Sequence, residues 1–281
     1  MDLFEEHRPR LLRMAYRLLG SVAEAEDVVQ DAYIRWQAAG EATNAGAYLS
    51  TIVTRLCLDV LKSARVKREQ YVGQWLPDMY LEAGPEPLGA LAHELSYGFM
   101  AMLERLTPEQ RAVFVLRTAF DMEYGSIAET LGTSAASCRQ LMRKARERME
   151  GPARFHADGA ESQALAERFA EACNTQDAAA LKALLGEPCR FLSDGGGRVN
   201  AARRPVVGVA NVCRLLLGLQ RKYGLRMEGL ARSSGTSPVL RAESQGIVGM
   251  AALDIDEGGA IVGVFFQWNP HKVSIERSHN A

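Results

Sequence analysis

What this sequence lacks excludes several classes of protein. No apolar run approaches the roughly 20 residues of a membrane-spanning helix, and the opening MDLFEEHRPR has no apolar signal-peptide core. The five cysteines are scattered, odd in number and form no CxxC pair, which argues against disulfides or a zinc site. We therefore expect a cytoplasmic protein with reduced cysteines, no metal, no cofactor and no membrane contact.

An excess of charge is also missing. The formal net charge is −1 over 281 residues, so the chain as a whole does not attract nucleic acid, and any DNA contact must come from a local basic patch. Hydrophobic residues make up 47% and charged residues 24%, which is ordinary for globular domains. The length allows two or three small domains, and there is no internal repeat.

The first part of the chain predicts helices followed by a linker. A helical apolar pattern ends at Gly20, Ser21-Val-Ala-Glu24 reads as a capping box for a second helix, and a third helix ends in the basic residues 62–68. Residues 71–93 carry three prolines and three glycines, which indicates a linker. Because Trp75, Leu76 and Met79 are too apolar for a solvated segment, we expect another part of the chain to cover them.

Residues 94–150 predict a helix-turn-helix. Thr107-Pro-Glu-Gln110 is a capping box, and Leu131-Gly132-Thr133-Ser134 reads as the turn between two further helices. In a DNA-reading helix, short polar residues and Arg or Gln reach base edges, whereas other basic residues hold phosphates. The polar set at the start of the second helix is Ser134, Ser137, Arg139 and Gln140, of which Arg139 and Gln140 are the expected base readers. The basic set expected to hold phosphates is Arg143, Lys144, Arg146 and Arg148. The alternative is an ordinary helical hairpin with a solvated basic face.

The last part of the chain predicts an α+β domain. Helical stretches at Leu165–Leu185 and Val209–Tyr223 flank DGGGRV, residues 194–199. Three short alternating stretches follow, PVLRAE, GIVGMAALDI and AIVGVFFQW, with Gly- and Asp-bearing turns between them. Helices followed by such strands favour an antiparallel sheet packed against helices.

The order of these elements resembles a bacterial sigma factor of the extracytoplasmic-function group. The segments that carry the resemblance are LLRMAYRLLGSVAEAEDVVQDAYIRW, TNAGAYLSTIVTRLCLDVLKSAR and LTPEQRAVFVLRTAFDMEYGSIAETLGTSAASCRQLMRKAR. The recognition helix departs from the group at Leu141, where relatives often carry arginine, so the promoter sequence cannot be carried over.

This resemblance implies two all-α domains, a sigma region 2 at residues 1–70 and a helix-turn-helix region 4 at 94–150, joined by a linker at 71–93. It implies core RNA polymerase and promoter DNA as partners. The acidic stripe Asp27, Gln30 and Asp31 is expected to bind the polymerase. The residues expected to contact the minus-10 element are Asn44, Arg55, Lys62 and Arg65, whereas Trp36 and Tyr48 are expected to be core.

After a linker at 151–160, residues 161–281 resemble the SnoaL-like domain, an α+β cone fold shared with polyketide cyclases and ketosteroid isomerases. A subset of these sigma factors carries it as a tail, with motifs close to WLPEP, DGGGK and NPDKL, which stand here as WLPDM, DGGGRV and NPHKV. The tail could hold a small ligand, and we expect a monomer when free.

The DGGGRV segment is compatible with three roles. A phosphate-binding loop would need a Lys-Ser/Thr pair after the glycines and a helix directly behind them, and both are missing. An active-site role would rest on Asp194 and His271, which nothing in the sequence pairs. We favour a docking surface that holds the linker. The residues expected to take part are Trp75, Leu76, Pro77, Asp194, Gly195, Gly196, Gly197, Arg198, Asn269, Pro270 and Lys272.

Two other functions stay open at this point. One is a helix-turn-helix regulator whose C-terminal domain senses a ligand, and the other is a cyclase- or isomerase-type enzyme fused to a DNA-binding module. The expected reading is a non-catalytic sigma subunit regulated in cis by its tail.

Overall fold

The computed structural model describes residues 3–39, 44–69, 71–80, 96–149, 159–229 and 237–274. Contacts divide the chain into two compact units. The first unit is residues 1–70 with 102–152, and the second is residues 71–101 with 153–281. The linker of residues 71–101 therefore groups with the C-terminal tail. The remaining residues of the predicted linkers, 81–93 and 151–158, lie outside the described part of the chain.

The helices of the described residues follow in chain order: α1 (Leu3–Leu19), α2 (Val22–Ala39), α3 (Ala45–Glu69), α4 (Tyr97–Met102), α5 (Pro108–Ala119), α6 (Tyr124–Leu131), α7 (Ala135–Arg148), α8 (Gly159–Asn174), α9 (Ala178–Leu184) and α10 (Val209–Tyr223). The strands are β1 (Met79–Tyr80), β2 (Leu185–Asp194), β3 (Val206–Val207), β4 (Arg226–Gly229), β5 (Val239–Ser244), β6 (Ile247–Ile255), β7 (Ile261–Gln267) and β8 (Val273–Ser274).

In the first unit, α1, α2 and α3 share an apolar core. Leu11, Leu18 and Val53 are fully or almost fully buried within it. Gly20 ends α1 with φ +73°, a left-handed conformation that glycine adopts without steric cost, as the sequence predicts.

The prediction that Trp36 and Tyr48 are core residues is wrong for Tyr48, which is 36% exposed, and only half right for Trp36, which is partly buried. Trp36 lies near the end of α2 and Tyr48 near the start of α3, and their rings pack on each other with centroids 6.0 Å apart. The core between the packed helices is filled instead by Leu49 and Val53 of α3.

The same unit contains the predicted helix-turn-helix. The Thr107 hydroxyl accepts a hydrogen bond from Gln110 N, and the Gln110 side chain accepts one from Thr107 N, so the capping box that opens α5 is confirmed. Helix α6 ends at Gly132 in the left-handed conformation, and Ser134 caps α7 by accepting from Ser137 N at 3.1 Å.

The second unit is built on a six-stranded sheet with the order β3-β2-β7-β6-β5-β4. All neighbouring pairs are antiparallel except β2 with β7, which is parallel, so the expected antiparallel sheet is mixed. The sequence analysis did not predict strand β2, because Gly186, Glu187 and Pro188 interrupt its alternation of apolar and polar residues. The multidomain fold class, helical regions followed by an α+β domain, is confirmed.

The predicted helix Leu165–Leu185 is two helices. Gln176 takes φ +60° and breaks the chain between α8 and α9. Asp177 then opens α9, because its carboxylate accepts hydrogen bonds from Ala179 N and Ala180 N. An aspartate that follows the polar residues Thr175 and Gln176 is a signal for a helix start. The apolar periodicity on both sides of this break concealed the signal.

The two faces of this sheet pack against different partners. On the inner face, Phe191 and Phe266 join the core made with α8, α9 and α10. On the outer face, Leu76, Met79 and Tyr97 of the linker pack against tail residues that include Met250 and Phe265. Since neighbouring residues of a strand point to opposite faces, one strand serves both layers.

A separate pair of short strands also joins linker and tail. Strand β1 pairs in parallel with β8, with Met79 opposite Val273.

Candidate polymerase, promoter and linker sites

The acidic stripe lies on the exposed side of α2. Asp27, Gln30 and Asp31 are all exposed, whereas Val28 and Val29 on the same helix are buried. A helix fixed by its apolar face thus presents two carboxylates to the outside. This arrangement suits a basic protein surface, and its use by the polymerase stays a prediction.

The predicted base-reading residues lie on the open side of α7. Arg139 and Gln140 are exposed, and the buried Cys138 and Met142 fix the opposite side of the helix. The Arg139 guanidinium lies over the Tyr124 ring, 5.6 Å from its centroid, which orients it without occupying its hydrogen-bond donors.

The other residues predicted to contact the minus-35 element divide by role. Ser134 and Ser137 are joined through the helix cap, with their hydroxyls 2.9 Å apart. Lys144 is exposed, and Arg143 makes only a loose exposed ion pair with Glu147 at 3.8 Å. Such surface pairs are worth under about 1 kcal/mol, so Arg143 can exchange this partner for a phosphate.

Two predicted minus-10 residues are engaged inside the first unit. Arg55 donates to the carbonyl oxygens of Thr130 at 3.0 Å and Glu129 at 3.4 Å. These carbonyls belong to the last turn of α6, where the helix dipole favours a cation. Lys62 lies 3.5 Å from the Glu109 carboxylate. The helix-turn-helix therefore occupies part of the predicted minus-10 surface.

The remaining two minus-10 candidates have other positions. Asn44 is exposed, and its Oδ1 accepts from Ala47 N at 3.0 Å, so it caps α3. Arg65 lies in α3, and its side chain is outside the described part of the structure.

Asp194 is the centre of the linker-binding site in the second unit. Its carboxylate is fully buried. One oxygen accepts from Tyr71 Oη at 2.6 Å and Gly196 N at 2.9 Å; the other accepts from Leu76 N at 3.0 Å and Lys272 Nζ at 2.8 Å. A buried carboxylate with four donors, one of them cationic, is a fully satisfied ion site.

Three further tail side chains complete what we call the Asp194 cluster: Gln267, Asn269 and Lys272. Gln267 Nε2 donates to the Pro77 carbonyl at 3.0 Å, and Asn269 Nδ2 donates to Tyr71 Oη at 3.0 Å. Burial, together with the adjacent Asp194 carboxylate, raises the pKa of Tyr71 well above its usual range, so its hydroxyl stays a donor at physiological pH.

Lys272 ties the cluster to the aromatic residue of the linker. Its ammonium group lies 3.9 Å from the centroid of the Trp75 ring and donates to Leu76 O at 2.8 Å. An ammonium shared between a carboxylate, a carbonyl and an indole face is largely desolvated, which strengthens each contact. The sequence prediction brought together Trp75, Leu76, Pro77, Asp194, Asn269 and Lys272, and all of them lie in this site.

The three glycines of DGGGRV contribute in different ways. Gly196 and Gly197 both have positive φ, and a Cβ on Gly196 would lie 2.6 Å from the Asn269 amide. A Cβ on Gly195 would lie 2.1 Å from the Val199 carbonyl oxygen. Arg198 and Pro270 are both exposed and lie outside the hydrogen-bond set of the Asp194 cluster, so their part in docking stays a prediction.

A second linker contact, which sequence reasoning missed, centres on Asp254 of β6. Its carboxylate accepts from Ser237 Oγ at 2.8 Å, from Gly98 N at 3.3 Å and from Ser96 Oγ at 3.3 Å. Burial raises the pKa of Asp254 to about 6, although these hydrogen bonds lower it. A lone aspartate inside the apolar stretch GIVGMAALDI was the signal available.

The two linker contacts are joined to each other. Tyr97 Oη donates to the Pro77 carbonyl at 2.6 Å, and Tyr97 N donates to Ser237 Oγ at 3.0 Å. Residues 71–80 and 96–101, the first and second linker segments, thus meet on one face of the tail sheet.

Groups that would indicate other chemistry are few in the described residues. They hold no cluster of three His, Cys, Asp or Glu side chains arranged for a metal ion. The five cysteines are buried and unpaired, and burial raises the pKa of Cys189 to about 12, so this thiol is not a nucleophile at neutral pH. None of the helices described is long and apolar enough to span a bilayer. His271 is exposed in the turn after β7.

Fold and site together define a helix-turn-helix transcription protein that carries an α+β tail. The family model for Sigma-70 region 2 matches residues 3–66, and the model for Sigma-70 region 4 matches residues 98–149.

Known proteins refine this class. The chain is 36% identical over 255 residues to the ECF RNA polymerase sigma factor SigJ of Mycobacterium tuberculosis, across 88% of this chain and 81% of the relative. It is 35% identical over 178 residues to the probable ECF RNA polymerase sigma factor SigI of the same species, across 61% of each chain. The crystal structure of M. tuberculosis SigJ superposes with a TM-score of 0.73 at 31% identity over 96% of both chains.

The chain therefore belongs to the extracytoplasmic-function sigma factors. It binds core RNA polymerase and directs promoter-specific initiation of transcription.

Proposed function

We propose that the tail regulates this sigma factor in cis by holding the linker in a shortened form. The observation that carries the proposal is the hydrogen bond from Tyr97 Oη to Pro77 O at 2.6 Å, formed while both residues are buried on the tail sheet. It joins two points 20 residues apart in the linker.

The reach of the linker follows from its length. Residues 71–101 form 31 residues, which can extend to about 100 Å at roughly 3.3 Å per residue. With Pro77 held against Tyr97, only the residues 71–77 and 97–101 contribute, and the chain they form extends to about 40 Å at most. Promoter elements near −35 and −10 are about 25 base pairs apart, or about 85 Å along B-DNA at 3.4 Å per base pair. A shortened linker therefore opposes the separation that promoter binding requires.

The arrangement inside the first unit agrees with this role. Arg55, a predicted minus-10 residue, is bound to the last turn of α6. If Arg55 is to contact DNA, α6 has to leave it. A docked linker favours the compact arrangement, and release of the linker favours the open one.

In this proposal the tail is a regulator without catalytic activity, although its architecture is also found in enzymes, and the protein acts in the cytoplasm with the polymerase. The polar side chains that could serve an enzyme, Asp194 and Asp254, are both used to hold the linker. Asp194, one of the two catalytic candidates named with His271, accepts hydrogen bonds from two linker donors, from Gly196 N and from Lys272 Nζ.

The proposal can be tested by measuring the distance between the two DNA-reading regions in the free protein. Spin labels at the exposed Ala23 and Ala136 report this distance by pulsed electron resonance. Gly98→Ala should broaden the distance distribution towards longer values, because a Cβ there would lie 1.9 Å from the Asp254 carboxylate and 2.6 Å from the Phe265 ring.

Gly218→Ala is the matched control, since nothing lies within 4 Å of its added Cβ. An unchanged distribution in Gly98→Ala, with exchange showing the second linker segment released, would contradict the proposal.

A further inference from the structure

A cavity lies in the tail on the side of the sheet opposite to the linker. It has a volume of about 350 Å³ and opens between the end of β2, the loop after it, the end of α10 and the β5–β6 turn. This volume is within the range of small-molecule binding sites. The space is walled by the aromatic rings of Phe191, Tyr223 and Trp268 and by Leu215 and Leu219 of α10.

The lining indicates the chemistry of a ligand. Every residue that lines the cavity is uncharged, so an ion would lose its hydration there without gaining a counter-charge. The polar groups are few, and Ser193 is the most deeply placed, at 2% exposure. Its Oγ accepts from Ala202 N at 2.8 Å, which leaves the hydroxyl proton for an acceptor on a ligand. The cavity thus fits a neutral, mainly apolar ring compound with a polar group.

The cavity and the Asp194 cluster share two strand ends. Ser193 lines the cavity, and the next residue, Asp194, points to the opposite face and binds the linker. Trp268 lines the cavity between Gln267 and Asn269, which both contact the linker. Trp268 N donates to Asp194 O at 2.8 Å, so a backbone hydrogen bond ties the two strand ends to each other.

The loop after β2 makes the same connection. Its first residues, Gly196 and Gly197, face Asn269 and Val72, whereas Val199 and Ala202 further along line the cavity. Arg198 N and Val199 N both donate to Gly195 O at 3.0 Å, which makes this a tight turn rather than a slack connection. The cavity wall and the backbone that carries Asp194 therefore belong to one continuous, hydrogen-bonded segment.

We propose that this cavity binds a small neutral ring compound and that occupancy changes how firmly the tail holds the linker. The site would make this sigma factor directly responsive to a ligand, without a partner protein. The coupling part of this inference rests on the proposed function; the binding site itself does not. A ligand shifts the linker equilibrium only by its difference in affinity for the docked and released forms.

Binding is tested on the full-length protein with 2-naphthol as the neutral probe and 2-naphthoate as its charged counterpart. Binding is followed by protein-observed NMR shifts of labelled tryptophan, in which Trp268 is distinguished by its own substitution to Phe. We expect 2-naphthol to shift the Trp268 signal and to bind at least about tenfold more tightly than 2-naphthoate.

Leu219→Trp fills the cavity and should abolish binding, whereas Ala210→Trp, at an exposed position of the same helix, should not. Absence of 2-naphthol binding, equal binding of the charged probe, or binding unaffected by Leu219→Trp in a folded protein would each overturn the site.

Coupling is read from hydrogen exchange at the Leu76 amide, which bonds to Asp194. Saturating 2-naphthol should change this exchange rate by about fivefold or more, the lower end of measured allosteric couplings, and Leu219→Trp should remove the change. An unchanged rate with the cavity occupied would refute the coupling. Should Asp194→Asn leave transcription unaltered while 2-naphthol still binds, the proposed function would fail and the site would stand.

Discussion

Replacement of Asp194 by asparagine is the perturbation whose consequence the structure specifies most closely. Asparagine keeps the size of the side chain but removes the charge that faces Lys272 Nζ at 2.8 Å. It also replaces one acceptor oxygen with an NH₂ group, which then faces either Leu76 N–H and the ammonium or Tyr71 Oη and Gly196 N–H. Lys272 is left as a largely buried cation, with 10% of its side chain exposed.

The size of the effect follows from these contacts. Removing one partner of a buried ion pair typically costs about 3–5 kcal/mol. That pair lies within the tail, however, and the linker itself reaches the carboxylate through Tyr71 Oη and Leu76 N–H. A hydrogen bond to a charged group is worth about 1.5–3 kcal/mol. Since the released linker makes neither bond, the released population should rise by roughly one to two orders of magnitude, at about 1.4 kcal/mol per factor of ten. The tail fold itself should persist, because its inner core does not include Asp194.

Hydrogen exchange at the Leu76 amide measures this directly. In the wild-type chain this amide donates to Asp194 Oδ2 at 3.0 Å and is protected for as long as the linker is docked. In Asp194→Asn its exchange rate should rise by about tenfold or more, because the hydrogen bond from Leu76 N to the carboxylate is weakened or lost. Glu257→Gln, which removes one negative charge from an exposed turn of the same domain, is the matched control and should leave the rate unchanged.

A double-mutant cycle with Lys272→Met separates the ion pair from general damage. The two substitutions together should cost less than the sum of their separate effects, because both remove the same ion pair. Unaltered exchange at Leu76 in Asp194→Asn, or strictly additive effects in the cycle, would refute the reasoning.

Three other outcomes are expected. The double substitution Asp27→Lys and Asp31→Lys should weaken binding to core polymerase about tenfold in a titration. Since both residues are exposed, it should change the free energy of unfolding by no more than about 0.5 kcal/mol, and the melting temperature should stay close to that of the unsubstituted chain. Arg139→Ala should cost about 1–3 kcal/mol on one promoter and relax the preference at one base pair, whereas Arg143→Ala should weaken all promoters alike in a binding assay; uniform loss from both would remove the distinction. Folding raises the pKa of Asp254 from 3.8 to about 6, so the folded state favours the protonated carboxyl. The stability that this protonation contributes is fully present below about pH 4 and is lost as the pH rises through about 6. The loss in the free energy of unfolding is about 3 kcal/mol. Asp254→Asn should lack this loss, so that its melting temperature relative to wild type rises between pH 4.5 and 7.5, and a constant difference would contradict the assignment.

The helical half of the fold could be predicted from local signals. A capping box such as Thr107-Pro-Glu-Gln110 fixes a helix start from four residues, and Gly132 and Ser134 mark a turn in the same way. Such signals depend on neighbours in sequence, so the sequence contains them.

Other features depend on partners distant in sequence. Strand β2 is stabilised by parallel pairing with β7, over 70 residues away, and its own residues 186–188 carry almost no strand signal. Tyr48 is likewise exposed because other residues, Leu49 and Val53, fill the core between the helices.

The linker site was predicted in part for a physical reason. Trp75, Leu76 and Met79 are apolar in a segment rich in Pro and Gly, which indicates that something covers them. The sequence does not show why Gln267 and Lys272 contact the linker site while Arg198 stays exposed. That choice depends on the alternation of side chains along β7 and on the paths of the turns that follow β2 and β7.

Run-off transcription with purified core polymerase tests the regulation by the tail most directly. The full-length chain, Asp194→Asn and Glu257→Gln are compared at equal, subsaturating concentrations on a promoter that the full-length chain uses. If the docked linker restrains the sigma factor, Asp194→Asn gives more transcript than the wild-type chain, and Glu257→Gln gives the same amount. If Asp194→Asn releases the linker, as read from exchange at Leu76, and yet gives equal or less transcript, the tail does not restrain this factor through the linker.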